Sequence, residues 1–147
     1  MTQDFETEKS RASAWFRDLR DEIVNAFEEL ERDHSAGPLS DAAPAVFDVT
    51  ETKRQSDDGS DAGGGLMSVM RGGRVFEKVG ENISKVYGTL GERAQMAKAA
   101  RKGIPGMKDD PRFWASGISL VAHMQNTHTP AEHMNTRMFW TPHAWCC

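Results

Sequence analysis

Two short stretches near the end of the chain carry the side chains best suited to chemistry. They read Gly117-Ile-Ser-Leu-Val-Ala-His123 and His133-Met-Asn-Thr-Arg137. A hydroxyl (Ser119), two imidazoles (His123, His133), an amide (Asn135) and a guanidinium (Arg137) fall on alternating positions. On an extended strand, residues two apart share a face. Ser119, Val121 and His123 therefore point one way, and Ile118, Leu120 and Ala122 the other. His133, Asn135 and Arg137 share a face, while Met134, Thr136 and Met138 line the opposite one. Paired as a hairpin, the two stretches bring these polar groups to one surface, which suits an anionic, hydrogen-bonding ligand.

Arg137, flanked by Asn135 and His133, suits bidentate capture of a carboxylate; the alternative is a salt bridge to Glu77 or another acid. An imidazole titrates near neutrality, so His133 and His123 suit proton donation or hydrogen bonding. His123, His128 and His133 are spaced five apart and His143 follows. A metal needs ligands converging within about 2 Å of one ion. Parity puts His123 and His133 on faces that can meet, which makes them the candidate pair with His128 of the loop as a candidate third ligand, although no named metal motif is present. Ser119 lacks the Gly-x-Ser-x-Gly turn of a hydrolase nucleophile and reads as a hydrogen-bond donor. No nucleotide fingerprint, thiolate nucleophile or paired catalytic carboxylates are seen. Trp114, Phe139, Trp140 and Trp145 make the last third aromatic, either as core or as the wall of a pocket for a flat or bowl-shaped macrocycle. Basic residues do not interleave with aromatics, which argues against nucleic acid.

The elements that must position these groups follow from periodicity. Phe16, Leu19, Ile23, Phe27 and Leu30 form the stripe of an amphipathic helix from Glu6 to Arg32. Gly37-Pro38 ends it. Val46 to Thr52 alternates as a strand. Residues 54–65 (RQSDDGSDAGGG) read as a flexible loop, and Gly63-Gly64-Gly65 lacks the Gly-Lys-Ser/Thr of a phosphate loop. Its glycines signify mobility or closure over a ligand. Leu66–Val79 and Asn82–Tyr87 read as strands, with Gly72-Gly73 interrupting the first and Gly80 between the two. Gly91–Arg101 has helical propensity, and Gly103–Pro111 is loop. Phe113–His123 and His133–Trp140 are strands around a loop from Met124 to Glu132. One long helix followed by sequential strands predicts an α+β domain with a largely antiparallel sheet.

With 147 residues the chain is one domain's worth; its 38% hydrophobic and 27% charged content is that of an ordinary soluble protein. No run approaches the ~18 apolar residues of a membrane span. The start lacks a signal-peptide profile, so cytoplasm is the expectation. Residues 1–62 hold 7 basic and 16 acidic side chains, whereas 63–147 hold 11 and 6. The second part is the better place for a polyanionic ligand. Cys146 and Cys147 are adjacent and cannot form an unstrained disulfide. They have no polybasic run before them as a lipidation signal would; a frameshift or truncation is the expected origin of that end.

Gly63-Gly64-Gly65 with Val75-Phe-Glu-Lys78, then Gly80-Glu-Asn-Ile-Ser84, resembles the first signature region of the oxygen-dependent coproporphyrinogen III oxidase family. The runs Gly117–His123 and His133–Arg137 resemble its substrate-site segments. The resemblance spans the first helix to Trp145. It implies oxidative decarboxylation of two propionates of coproporphyrinogen III to the vinyls of protoporphyrinogen IX, within haem biosynthesis. Dioxygen is the acceptor, hydrogen peroxide a product, no organic cofactor takes part, and a divalent metal is left open. It also implies a homodimer and an antiparallel sheet sandwiched by helices. Residue by residue, Ser119, Asn135, Thr136 and Arg137 are similar to substrate-binding positions. His133 is similar to a proton donor and metal ligand, and His123 to a metal ligand. Parity does not support a side-chain role for Thr136. Family members are about twice as long and continue with a glycine-rich run where Trp145-Cys146-Cys147 stands. Glu81, Thr127 and Glu132 replace an expected valine, proline and small or apolar residue, and Glu132 sits beside His133. The implied protein is a partial oxidase domain with doubtful activity of its own and an exposed apolar edge at His133–Trp140. The alternatives are a non-catalytic tetrapyrrole-binding fragment and a histidine-based metal-binding fragment.

Overall fold

The computed structural model describes residues 5–92 and 106–147. Apart from Gly91 and Glu92, the expected helix over 91–101 lies outside them. Helix α1 runs from Glu6 to Asp33. Phe5 precedes it in a left-handed conformation (φ 48°) without a side-chain cap. Glu6 and Glu8 in its first turn and Arg32 in its last complement the helix dipole. Among the described residues six strands follow: β1 (Asp48–Gln55), β2 (Asp61–Arg71), β3 (Phe76–Thr89), β4 (Arg112–Met124), β5 (Glu132–Trp140) and β6 (Trp145–Cys146). They form one antiparallel sheet in sequence order, a pure meander. The α+β class with an antiparallel sheet is therefore observed.

The helix stripe packs on one face of this sheet. Phe27 stacks on Phe76 with ring centroids 4.7 Å apart, over Met70, Val79, Leu120 and Ala122. Phe16 sits with Ile83, Ile118 and Met138. Burying each such side chain is worth about 2 kcal/mol, so the helix is held by its apolar face rather than by its caps. Leu30, expected to extend the stripe, is 52% exposed. Its neighbour Glu31 takes the inward position instead.

Several boundaries differ from the sequence reading. Gly63, Gly64 and Gly65 are not loop but part of β2, paired with β1 and β3. The turn shrinks to the residues between Gln55 and Asp61, with Gly59 at φ 80°. A Cβ on Gly64 would lie 2.2 Å from the Thr52 carbonyl oxygen, and on Gly65 1.9 Å from that of Ile83. Crowding between strands demands these glycines, a cause that composition cannot distinguish from loop. The expected strand Leu66–Val79 is broken by a turn at Gly72 (φ 62°), and β3 then runs straight through Gly80. The strand β5 is capped at its end by β6, so the apolar pair Phe139–Trp140 is buried; the outer edge that remains exposed is mostly polar.

A carboxylate locks helix to sheet. Glu31 is fully buried and accepts four backbone N–H bonds, from Ala45 (3.0 Å), Arg74 (2.7 Å), Val75 (2.8 Å) and Phe76 (2.9 Å). The Arg74 guanidinium in turn donates to the carbonyls of Glu31, Arg32, His34 and Ala42, covering orphan acceptors at the helix C-terminus.

A second buried carboxylate is poorly matched. Glu81 is fully buried under α1, its Oε2 3.6 Å from Arg20 Nε. Arg20 is already bonded to Asp21 (2.6 Å) and the Ser68 hydroxyl (3.0 Å). Burial pushes the Glu81 carboxyl above its usual range, against the pull of Ser68 and Arg20. The folded state thus binds this proton more tightly than the unfolded chain. The contribution is most favourable below about pH 4.5 and is lost as pH rises through the raised value. Glu81→Gln is expected to raise stability by about 1 kcal/mol at pH 8 and to flatten its pH dependence between pH 5 and 8. Urea denaturation at both pH values measures this; a less stable variant at pH 8 would mean that the charge is a net asset.

Candidate open-face site

The side of the sheet away from α1 gathers the polar residues singled out above. Register fixes the arrangement. Ser119 stands opposite Asn135 and Asn82; Val121 opposite His133 and Gly80; Gly117 opposite Arg137 and Ser84; His123 opposite Lys78. Residues paired across antiparallel strands share a face. Ser119, His123, His133, Asn135 and Arg137 therefore lie on one surface, with Ile118, Leu120, Ala122 and Met138 buried on the other. Arg137 and His133 are four positions apart, roughly 14 Å along the strand.

Small residues leave this surface flat. The row through Arg137 passes over Gly117, Ser84 and Gly65; the row through His133 passes over Val121, Gly80 and Val69. A Cβ on Gly117 would lie 2.6 Å from the Thr136 carbonyl oxygen, so nothing larger fits beside Arg137. Beyond Arg137, Phe113 stacks on Phe139 (5.9 Å) and joins Met107 and Ala115 in an apolar block. The surface is thus graded: an aromatic end, a cation, an amide–hydroxyl pair, then imidazoles. It suits a broad ligand with an apolar body and carboxylates at its rim.

Arg137, His133, His123 and Asn135 are exposed and have no hydrogen-bond or ion-pair partner among the described residues. The alternative of an Arg137–Glu77 salt bridge is not observed: Glu77 sits at the irregularity between Phe76 and Lys78, whose partners Met124 and His123 are at the far end of β4 from Gly117 and Arg137. Thr136 stands opposite Ile118, on the helix side. Glu132 stands opposite Ala122, so it faces away from His133 rather than beside it. His128 is in the β4–β5 turn, its N–H on Asn126 Oδ1 at 2.9 Å. His143 packs against Gly106, where a Cβ would meet its ring at 2.4 Å. Among the described residues no three His, Cys, Asp or Glu side chains are grouped to hold a metal. His123 and His133 by themselves would supply two of the three or four protein ligands that such a site takes. Trp140 is also not a wall of this face: Lys9 Nζ sits 3.6 Å over its ring and Phe5 packs on it edge-on.

Sequence reading missed Glu31, Arg74 and Arg20. The available signal was position: Arg20 and Glu31 each lie four residues beyond a core phenylalanine of the stripe. A cavity of about 670 Å³ was also missed; it lies against α1 at the Gly63–Gly65 end and not on the open face. No described helix is long and apolar enough to cross a membrane.

Residues 11–145 match the family model described as coproporphyrinogen III oxidase. The chain is 42% identical over 137 residues to a protein of Rickettsia felis named oxygen-dependent coproporphyrinogen-III oxidase, covering 93% of this chain and 44% of that protein. A Rickettsia bellii protein of the same name is 42% identical over 133 residues, covering 90% and 43%. One from Rickettsia peacockii is 40% identical over 137 residues, again covering 93% and 44%. The chain spans less than half the length of these relatives.

Proposed function

The chain belongs to the coproporphyrinogen III oxidase family, and we propose that its open sheet face is the substrate-binding floor for oxygen-dependent decarboxylation of coproporphyrinogen III. The observation supporting this reading is the register that sets Asn135 across from Ser119, with Arg137 and His133 two positions to either side. The bowed macrocycle of a porphyrinogen, its pyrroles joined by sp3 methylene bridges, rests over the row of small residues, its carboxylates within reach of Arg137, Asn135 and Ser119.

The reaction at each propionate breaks the C–H bond next to the pyrrole and the C–C bond to the carboxylate. A vinyl C=C forms and carbon dioxide leaves. The two electrons released pass to dioxygen, which takes up two protons to give hydrogen peroxide. One proton comes from the broken C–H bond; His133 supplies the other. A guanidinium gripping the departing carboxylate would stabilise the charge that decarboxylation must disperse. Arg137 therefore holds a propionate that is not reacting, and fixes the ring so that another reaches the chemistry. Asn135 and Ser119 orient it, the backbone at Thr136 continues the cradle, and His123 stands as a second imidazole at its far end. The homodimeric, cytoplasmic setting of the family belongs to the same proposal.

Arg137→Ala is expected to weaken anaerobic binding of coproporphyrinogen III about tenfold, the worth of a charged hydrogen-bonded contact. Equilibrium titration measures it, and unchanged affinity would remove Arg137 from the site. The exposure of the face favours a second statement for the chain taken alone: it binds the tetrapyrrole with little turnover, because bulk water is not excluded. Hydrogen peroxide release at the rate of a relative of full family length would overturn that statement.

A further inference from the structure

The cavity beside α1 is unrelated to the open face and independent of the reading just given. It lies on the helix side of the sheet, where one row crosses Lys53, Gly64, Lys85 and Ser116 on β1 to β4. Gly64 separates two lysines by one strand spacing on either side, roughly 10 Å in all. No side chain can fill the gap, because a Cβ on Gly64 would collide with the Thr52 carbonyl. Arg17 hangs over the same space from α1, and Arg54 stands in its lining. Buried Phe16 and Ile83, with half-buried Leu66, give it an apolar floor.

The charge of this cavity is unbalanced. Arg17, Lys53 and Arg54 have no ion-pair partner among the described residues. Two acids share the lining. Asp61 is already engaged by the Tyr87 hydroxyl and by Gly63 N–H (3.0 Å); Glu51 sits at the edge strand. Three cations on the helix side (Arg17, Lys53 and Lys85), with Arg54 next in the lining, stand against two carboxylates around a volume of about 670 Å³, and attract an anion of more than one charge. We propose that this cavity is a second binding site, for a small organic polyanion with carboxylate or phosphate groups set between Lys53 and Lys85 and an apolar portion on Phe16.

The test is titration of the isotope-labelled chain with citrate and, separately, with pyrophosphate, followed by amide chemical shifts. Saturable shifts at Gly63–Gly65, Lys85 and Arg17 are expected, weakening with added salt. Lys53→Ala/Lys85→Ala, both at exposed positions, should weaken binding about tenfold, while Lys108→Ala leaves it unchanged. Tighter binding of citrate assigns the site to carboxylates, and tighter binding of pyrophosphate to phosphates. Absence of saturable shifts, shifts confined to Arg137 and His133 on the other face, or equal affinity in the double variant would each overturn the proposal.

Discussion

Glu31→Ala is expected to cost the protein about 4 kcal/mol, several times the effect of an ordinary surface change. Four backbone N–H groups end on this one carboxylate, and three of them come from the turn that leads into β3. Removing it leaves those donors buried and unpaired and detaches the end of α1 from the sheet. Glu31→Gln should fall between: its amide oxygen still accepts, but its NH2 faces donors. The same geometry sets an acid dependence. Burial pushes the Glu31 carboxyl up, but the N–H groups of Ala45, Phe76, Arg74 and Val75 together pull it below its usual value of 4.5. The stability it contributes is present above about pH 4.5 and is lost as pH falls through the depressed value. Chemical denaturation of both variants at neutral pH and at about pH 3 measures the effect. A loss under about 1 kcal/mol for Glu31→Ala would show that solvent or rearrangement satisfies those donors.

The second large effect falls on the sheet. Gly65→Ala would set a methyl 1.9 Å from the Ile83 carbonyl oxygen and 2.9 Å from Ser84 Cα. The obstacles are backbone atoms of the paired strand, so no rotamer change relieves them. Strands β2 and β3 would have to part, and a loss of at least about 3 kcal/mol is expected, with much of the protein insoluble. Gly80→Ala is the matched control. It lies in the same sheet with nothing within 4 Å of the added methyl, and should be neutral or stabilising by roughly 0.5 kcal/mol. Soluble yield and thermal melting of the two variants decide it; equal melting temperatures would mean that the strand relaxes around the methyl.

These two glycines also mark where the sequence was and was not readable. Alternation declared the faces of β4 and β5, because each polar residue from Ser119 to His123 has a buried apolar neighbour. The helix stripe declared itself in the same way. Gly63–Gly65 did not: composition registers a glycine but not whether it serves a turn or a carbonyl pressed against it. Gly80 was read as a break because nothing local reveals a free strand interior. Leu30 and Glu31 exchanged roles for a tertiary reason, since a carboxylate inside the stripe is stable only once the 73–76 turn surrounds it. The cavity between Lys53 and Lys85 was out of reach too, because it depends on a register between strands more than thirty residues apart.

The meander has a kinetic consequence. Every strand bonds only to those adjacent in sequence, so no long crossover must close before pairing begins. Apart from α1 settling onto β3 and β4, native contacts can accrue hairpin by hairpin from β2–β3 outward, which favours fast folding for a sheet protein. The polypeptide is suited to building its framework in the order in which a ribosome delivers it, with the helix made first and docked once β3 and β4 have been synthesised.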